Sequence, residues 1–526
     1  MLVNLRKAVV NPLILYGTTL FLICFLFSDQ VGYLSYLTIA QLFFVPSLLQ
    51  MIVQLRKLDK LILATGMTAI ALLGFNMPYP VEVFGAVVYL FTTFWIAGIG
   101  IDRFLKRGFT NTAELMIDLG LVYIAIGGMW FFAYIGKFDI GFSEITTWLT
   151  AIHFHYSAFM LCISVGLIGR VQMTRLYKVC ALIIATGPMT VAIGITISTT
   201  IEIIAVSFYV GAIYALTYYI FRLEFPTLVQ AIAVRIPLVT LCITILGSLL
   251  YAYGNFSGNT IVTIPNMLAF HGFLNCLLFG TFTVIGWALQ VPVTKQKPFN
   301  FPASKIRGKL RNPGSHYPGL VDQMADYTVD GKLPFRTIDF YENTDRYQLF
   351  ASVSWSVWFK PFAFIYQFIS RKTGQLNLPF SSVQMEMTGK VQLVNEQLDG
   401  RRKPRVWIRK IGEETVFTAI YSQHQSNGRT YMNVALPLPF SSMHGILQAA
   451  VENEKLYLTS DGEGDTGTYL AVGRYLFQLP LHENFVIREM DEDLLATHDM
   501  TLFGLHFLHI DYVIKEKMTK TYTKIV

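Results

Sequence analysis

The chain is poor in cysteine: it has five among 526 residues, and none lies beyond residue 276. All five fall within apolar segments, no two have C-x-x-C spacing, and the polar C-terminal part has none. The sequence therefore predicts neither a disulfide framework nor a thiolate zinc site. These residues are Cys24, Cys162, Cys180, Cys242 and Cys276.

Familiar phosphate-binding and catalytic motifs are also missing. The sequence has no Gly-rich phosphate loop, no G-x-S-x-G nucleophile elbow and no kinase signature. We expect no nucleic-acid partner either. The sequence therefore does not indicate any of these catalytic classes.

Charge is scarce as well, at 14% of residues against 53% hydrophobic, with a mean hydropathy of +0.47. Almost all of this bias lies before about residue 292, which indicates a polytopic membrane protein with a soluble tail. Arg6 and Lys7 precede an apolar run in the manner of a signal peptide. No A-x-A-like cleavage site follows, so we interpret this run as an uncleaved first helix.

Apolar stretches of about 20 residues, long enough to span a bilayer, can be drawn roughly ten times. The predicted fold class is thus a polytopic α-helical bundle of about ten spans, followed by a β-rich cytoplasmic domain. The predicted spans are 11–28, 31–53, 58–76, 81–103, 113–136, 147–169, 177–197, 200–221, 235–253 and 264–291.

Lysine and arginine fall in alternate loops, and the other set of loops has Lys137 alone. By the positive-inside rule, this alternation places both termini in the cytoplasm of a bacterial cell membrane. The basic loop residues are Arg6, Lys7, Arg56, Lys57, Lys60, Arg103, Lys106, Arg107, Arg170, Arg175, Lys178, Arg222, Arg235, Lys295 and Lys297.

A basic juxtamembrane linker, residues 293–323, follows the predicted membrane domain, residues 1–292. Such a cluster attracts anionic lipid by about 1 kcal/mol per charge, or it merely fixes orientation as a stop-transfer flank. Both interpretations remain open. Its cations are Lys295, Lys297, Lys305, Arg307, Lys309 and Arg311.

Residues 324–526 have the composition of a folded soluble domain, with short alternating runs separated by turn signals such as Ser426-Asn-Gly428. This pattern predicts an antiparallel sheet or barrel of α+β type. Leu349 to Ile369 is apolar but interrupted by Lys360-Pro361, so we expect it to pack on this domain or lie at the membrane surface.

Polar side chains lie inside three of the predicted spans, all near the predicted outer face. Such residues usually face the bundle interior and mark a pathway or a site, because a charge at mid-bilayer costs roughly 2.5–3.5 kcal/mol. This polar intramembrane site comprises His153, His155, Glu202, His271 and Asn275.

Three histidines and a carboxylate could bind a divalent metal such as zinc, iron or manganese, relay protons, or simply bond helices together. The metal ligands would be His153, His155, His271 and Glu202. However, residues two apart on a helix point about 200° apart, so His153 and His155 cannot share one ion unless the helix is unwound. Glu202 has a further alternative, a hydrated position at the interface.

Two other clusters carry structural interpretations. Glu114 and Asp118 lie four apart near a cytoplasmic helix end, where such carboxylates are more often solvated or paired with a loop arginine than catalytic. In the tail, His506 and His509 are three apart, so a regular strand would place them on opposite faces, and with His498 they are interpreted as scattered sheet residues.

Two short stretches carry a resemblance: Thr150-Ala-Ile before His153-Phe-His-Tyr156, and Ala269-Phe-His-Gly-Phe-Leu-Asn275. They resemble the YndJ-like family of bacterial integral membrane proteins. In the tail, Arg474-Tyr-Leu-Phe-Gln-Leu-Pro-Leu and Thr497-His-Asp-Met-Thr-Leu-Phe-Gly504 are similar to a β-rich domain that accompanies such proteins. The resemblance implies a bacterial cytoplasmic membrane and supplies no reaction.

Three functions remain open. The first is a metal-binding intramembrane enzyme that acts on a lipid-soluble substrate at the polar site. The second is a transporter or permease whose polar cluster binds substrate or protons. The third is a membrane-anchored protein whose β-domain binds a lipid, another apolar ligand or a protein partner, since small barrels often enclose one apolar ligand.

Overall fold

A computed structural model describes residues 11–28, 32–296, 299–310, 313–328 and 333–517. The predicted flanking residues Arg6, Lys7, Lys297 and Arg311 lie outside these ranges. The chain divides into two compact units. The membrane unit holds the described residues up to Phe104 and residues 111–296, and the barrel unit holds Leu105–Thr110 and the described residues from 299 onward.

The membrane unit is entirely helical in its regular structure, as the long apolar runs predict. Ten helices are described, and each coincides with a predicted span. They are α1 (Pro12–Phe27), α2 (Leu34–Ile52), α3 (Lys57–Leu72), α4 (Tyr79–Leu105), α5 (Thr112–Ile135), α6 (Glu144–Val171), α7 (Arg175–Ile197), α8 (Thr199–Phe221), α9 (Leu228–Ser257) and α10 (Ile264–Leu289).

Only eight of these helices are long and apolar enough to cross a membrane, so the predicted count of about ten spans is a little high. Helices α1 and α3 have 16 residues each. At 1.5 Å per residue each extends about 24 Å, short of a hydrocarbon core about 30 Å thick. The multi-pass architecture itself is confirmed.

Three of the spanning helices contain π-helical turns. These turns occupy Ala40–Phe44 of α2, Phe154–Met160 of α6, and both Leu268–Gly272 and Asn275–Gly280 of α10. A π turn inserts an extra residue and redirects the side chains around it, and such turns are frequent at functional sites. The predicted site histidines lie in or beside the turns of α6 and α10.

A buried ion network joins helices of the membrane unit at one end of α5. Glu114 accepts hydrogen bonds from Arg170 Nε at 2.7 Å and from Arg103 Nη2 at 3.0 Å. Arg103 Nε also donates to Asp118 at 2.7 Å. The carboxylates are thus paired as expected, although both arginines lie on helices rather than in loops.

The barrel unit is built mainly of antiparallel strands, as the alternating runs predict. Three helices accompany them: α11 (Phe335–Glu342), α12 (Lys360–Thr373) and α13 (Glu396–Asp399). The strands are β1 (Tyr347–Trp355), β2 (Met385–Leu393), β3 (Arg405–Ile411), β4 (Glu414–Ser426), β5 (Arg429–Leu438), β6 (Ser441–Glu452), β7 (Lys455–Thr459), β8 (Gly467–Val472), β9 (Tyr475–Gln478), β10 (Leu481–Met490), β11 (Asp493–Leu502) and β12 (Leu505–Glu516).

Ten of the strands form a closed ring. Their hydrogen-bonded order is β5-β4-β3-β2-β1-β12-β11-β10-β7-β6, and β6 pairs back with β5. The hairpin of β8 and β9 extends from the first half of β6. Closure satisfies the backbone groups that an open edge would expose. The β-rich domain is therefore a barrel rather than an open sheet.

Alternate residues of each strand point into the barrel and form its core. On β12, Leu508, Ile510 and Tyr512 are buried in this core, and on β11 Leu494, Ala496 and Met500 are buried too. The inward position between Ala496 and Met500 is His498. Polar side chains thus occur in phase with the apolar core.

Candidate functional site

The five predicted intramembrane residues separate into distinct groups. His153 and His271 face each other, with 6.4 Å between ring centroids. His153 Nδ1 lies 2.6 Å from the Leu149 carbonyl oxygen, and His271 Nδ1 lies 2.9 Å from that of Thr244. A carbonyl only accepts, so each Nδ1 carries the proton. Each Nε2 therefore keeps a lone pair for a metal or a proton.

Asn275 belongs to the same group through one intermediate residue. The Thr244 hydroxyl donates to Asn275 Oδ1 at 3.0 Å, while the Thr244 carbonyl accepts from His271. Thr244 is fully buried on α9. It therefore fixes both predicted polar residues of α10 in place.

His155 lies apart from this group. It is fully buried; its Nδ1 donates to the Ala151 carbonyl at 2.8 Å, and its Nε2 accepts from the Tyr89 hydroxyl at 2.7 Å. A Cβ at Gly127 would come within 2.9 Å of the ring, so α5 packs directly against it. Both ring nitrogens are occupied, which suits a role in packing.

Glu202 forms a separate pair with Asn255. The Asn255 amide donates to both carboxylate oxygens, at 3.1 and 3.2 Å, and Glu202 is only 3% exposed. Among the described residues, no hydrogen bond or ion pair joins Glu202 to a histidine. The carboxylate is buried and satisfied by its neighbour rather than hydrated.

Sequence reasoning missed a polar cluster inside the barrel. A cavity of about 100 Å³ is lined mainly by apolar side chains of the inward-facing strand positions. A few ionisable groups reach it from different strands. They are Arg409 on β3, Tyr421 on β4, Glu483 on β10, His498 on β11 and Tyr512 on β12.

Arg409 is the cation of this cluster and is only partly satisfied by its neighbours. Its guanidinium carbon lies 4.3 Å from the centre of the Phe417 ring and 4.6 Å from that of Trp407. Its Nε is buried and has no hydrogen-bond partner in the described structure. No carboxylate of the described residues lies within 4 Å of it. The cation is therefore held by two aromatic faces and by a hydrogen bond with the Tyr512 hydroxyl, with no carboxylate beside it.

The tyrosines beside Arg409 share its electrostatic environment. Burial raises the pKa of Tyr421 and of Tyr512 above the usual value, and the positive charge of Arg409 partly opposes the rise. Both phenols therefore stay protonated and can donate hydrogen bonds into the cavity. A cation with two neutral donors is an arrangement that suits an anion.

His498 and Glu483 lie at the same cavity. His498 Nε2 is 3.3 Å from Glu483 Oε2 but lacks hydrogen-bond geometry, so this buried nitrogen has no hydrogen-bond partner in the described structure. The imidazole stacks on Phe485 with 3.7 Å between ring centroids. The sequence pattern could have indicated two members of this cluster. Arg409 is in phase with Trp407, and His498 is in phase with Ala496 and Met500.

The expectation that His506 and His509 lie on opposite faces of a strand is wrong. The pairing of β11 with β12 shifts register between Met500 and Thr501. Phe507 and Leu508 are consecutive residues, yet both are buried. This bulge adds one residue to β12, so the histidines on either side of it point the same way.

The apolar segment Leu349 to Ile369 becomes a barrel strand and an amphipathic helix. The strand β1 closes the ring, whereas α12 exposes several large apolar side chains. This exposure is compatible with the membrane surface, which stays a prediction. The exposed residues of α12 are Phe362, Phe364, Ile365, Phe368 and Ile369.

The basic linker packs along the barrel unit in its described part. Arg307 donates to the Ser442 hydroxyl at 2.8 Å and to the carbonyl of Ser304 at 2.6 Å, so it is already engaged. Lys305 and Lys309 are exposed. Contact with anionic lipid stays a prediction that rests on these lysines.

The chain is 38% identical over 484 residues to a protein of Bacillus subtilis (strain 168), described as "Uncharacterized membrane protein YndJ". The match covers 84% of this chain and 87% of the relative, and the family model for the YndJ-like protein matches residues 35–279. This chain belongs to the YndJ-like family. No solved structure matches it.

Residues 35–279, where the YndJ-like family model matches, include all five predicted intramembrane residues. The match to the Bacillus subtilis relative extends further, because 84% of the chain exceeds the length of the membrane unit. Membership confirms a membrane protein with several apolar helices in contact with a lipid bilayer.

Proposed function

We propose that the protein is a membrane-anchored binding protein whose barrel holds a small amphipathic anion. The observation that carries this proposal is Arg409, a cation at an apolar cavity with no carboxylate of the described residues within 4 Å. Glu483 lines the same cavity but lies beside His498, at 3.3 Å. Burying an unpaired charge is unfavourable, and a bound anion would remove that cost.

The cavity sets the size and chemistry of the ligand. A water molecule needs roughly 10–15 Å³ of cavity volume, so a cavity of about 100 Å³ accommodates a head group with a short alkyl chain. Arg409 with the hydroxyls of Tyr421 and Tyr512 would bind a carboxylate or phosphate head. The apolar lining, which includes Met432 and Leu458, would take the chain.

The proposal is tested by titrating the purified full-length protein with octanoate. Binding is followed by intrinsic tryptophan fluorescence, to which Trp407 contributes, and by calorimetry. We expect saturable binding that weakens at least tenfold in Arg409→Leu. Lys410→Leu is the matched control, since Lys410 is the next residue of the same strand and is not among the residues that line the cavity. Octanol should bind at least tenfold more weakly than octanoate.

Two results would overturn the proposal: equal octanoate affinity in Arg409→Leu and in the unaltered protein, or no binding of octanoate and of octyl phosphate. Tighter binding of octyl phosphate than of octanoate would support it and identify a phosphate head. Binding of octanol with the affinity of octanoate would contradict a role for charge.

A second candidate function rests on the facing imidazoles of His153 and His271. Both Nδ1 protons are held by carbonyls, which leaves both Nε2 atoms as ligands for a divalent metal or as proton acceptors within the bundle. This supports an intramembrane site, either for a reaction on a lipid-soluble substrate or for transport. His155 and Glu202 support it less, because each already has its own partner.

Elemental analysis of the purified protein beside His271→Ala and His155→Ala distinguishes these roles. Stoichiometric zinc, iron or manganese that is lost in His271→Ala and kept in His155→Ala would support a metal site at the facing pair. Metal content that is equal in all three proteins would contradict it.

We also propose that both termini lie in the cytoplasm, on the distribution of lysine and arginine among the loops. An even number of spans, eight or ten, brings the two ends of the membrane unit to the same side. Fusion of a reporter that is active only in the cytoplasm to residue 526 should give signal. Fusion after Lys137 should give none.

A further inference from the structure

The outer face of the barrel carries a second cluster of ionisable side chains, next to the bulge in β12. Asp499 of β11 lies directly opposite His509 of β12, and the bulge turns His506 toward the same carboxylate. Asp499 Oδ1 is 2.6 Å from His509 Nδ1 and 3.1 Å from His506 Nε2. The three ligand atoms lie within 4.8 Å of one another.

The remaining ring nitrogens each have a partner that fixes the ring. His509 Nε2 lies 3.1 Å from Asp511 Oδ1, and His506 Nδ1 lies 3.3 Å from the Ser356 hydroxyl oxygen. Metal-binding histidines almost always donate their second N–H to a carboxylate, carbonyl or similar acceptor, which sets the tautomer and the ring orientation. Both histidines have this arrangement.

The backbone around His506 is also held in place. Its carbonyl accepts from the Trp358 indole at 2.9 Å and from the Ser356 hydroxyl at 2.9 Å, and the Ser356 amide donates to Phe507 at 3.0 Å. The turn after β1 therefore braces the bulge. A fixed bulge gives the three ligand side chains defined positions rather than independent rotamers.

Solvent reaches the cluster. The side chains of Asp499, His506 and His509 are 37%, 46% and 32% exposed. Two imidazoles and one carboxylate on one face leave coordination positions open to water or a ligand, the pattern typical of divalent transition-metal sites. Binding of an ion would replace two imidazole–carboxylate hydrogen bonds with three metal–ligand bonds.

We propose that Asp499, His506 and His509 bind a divalent first-row transition-metal ion on the outer face of the barrel, with Asp511 and Ser356 orienting the two histidines. This site is separate from the cavity inside the barrel, because the inward residues of the same strands are His498 and Tyr512. It does not depend on the proposed anion binding.

The test uses the full-length protein, purified without a polyhistidine tag and stripped with a chelator. Titration with Co²⁺, followed by visible absorption, and with Zn²⁺, followed by calorimetry, measures stoichiometry and affinity. We expect one tight site that is lost in Asp499→Asn and in His506→Ala. His482→Ala is the matched control, because among the described residues His482 has a single carboxylate within 4.0 Å, that of Asp461.

Asp511→Asn keeps all three ligands and so guards against effects of misfolding. Loss of an orienting partner typically weakens metal affinity roughly 10–100-fold, and we expect a decrease of that size here. A protein that binds neither Co²⁺ nor Zn²⁺ would overturn the proposal. So would a site that survives Asp499→Asn but disappears in His271→Ala, which would assign the metal to the membrane unit.

Discussion

The helix bundle and the barrel both enclose arginine side chains, but they satisfy them differently. In the bundle, Arg170 is 7% exposed and forms two hydrogen bonds with the Glu114 carboxylate, at 2.7 and 2.9 Å. In the barrel, the partly buried Arg409 meets aromatic rings and the Tyr512 hydroxyl, with no carboxylate of the described structure within 4 Å. A buried charge that is fully paired indicates structure, whereas one that is left unpaired indicates a missing ligand.

The largest expected effect concerns the paired arginines of the helix bundle. Glu114→Gln should destabilise the membrane unit by about 3–5 kcal/mol, because it leaves Arg103 and Arg170 without their shared carboxylate. Glu144→Gln is the matched control, since Glu144 also lies in the first turn of a helix but is exposed. Thermal unfolding in detergent measures both. Equal midpoints for the two variants would contradict a structural role for the network.

A similar pair exists in the barrel unit, so pairing itself is not a property of the membrane. Asp399 and Arg401 are fully buried and 2.6 Å apart, and the Ser304 hydroxyl also donates to Asp399 at 2.6 Å. Asp399→Asn should cost about 3 kcal/mol. Asp493→Asn removes the partly exposed pair with Lys515, 3.1 Å apart, and should cost about 0.2–1 kcal/mol. Chemical denaturation compares them.

Close helix packing gives an intermediate effect. A Cβ at Gly128 of α5 would overlap the Thr93 side chain, whereas a Cβ at Gly98 of α4 meets nothing within 4 Å. Gly128→Ala should therefore cost about 1–3 kcal/mol through overpacking. Gly98→Ala should be neutral or stabilise the helix by up to about 1 kcal/mol. Retention of the folded peak in size-exclusion chromatography on heating separates the two, and the opposite ranking would contradict the packing.

A smaller effect depends on pH. Burial would raise the pKa of Asp322, but Lys403, Arg405 and Tyr317 hold it at about 2. A depressed pKa gives stability above the unfolded value, roughly 3.9, that is lost as pH falls through about 2. Asp322→Asn should therefore destabilise the barrel unit slightly at pH 7 and not at pH 2. A difference that grows on acidification would contradict this assignment.

The smallest expected change in stability belongs to the unpaired arginine. Arg409→Leu should leave the unfolding midpoint of the empty protein unchanged or slightly higher, because it replaces an unpaired cation with an apolar group. The same variant should lose octanoate binding. A loss of more than about 2 kcal/mol would show that Arg409 holds the barrel together, and the contrast with Arg170 would disappear.

Much of the fold could be predicted from the sequence because it depends on local periodicity and hydropathy. Each predicted span coincides with a helix, and the alternating runs became strands. Span count was less accurate, since α1 and α3 are apolar over a shorter length than composition suggested. Ring closure depends on the pairing of β1 with β12, which no local pattern encodes.

The sites were harder to predict because they depend on contacts between residues that are distant in sequence. His153 and His271 meet because their helices pack together. The sequence indicated only that the two residues lie at a similar depth in the membrane. The partner of Glu202 is Asn255. A single amide residue forms no recognisable sequence pattern, so this pairing was not predicted. His506 and His509 were interpreted as scattered residues by a rule for regular strands, Asp499 was not considered, and a single bulge reverses that rule.

The closure of the ring also determines when, during synthesis of the chain, the barrel can form. The first barrel strand, β1, completes its pairing only with β12, whose partner residues run from Leu508 to Glu516. All the membrane helices leave the ribosome before these residues are made. The barrel cannot close, and its cavity cannot form, until the membrane unit has been synthesised. Any ligand of the cavity therefore meets a chain whose helices have already been translated.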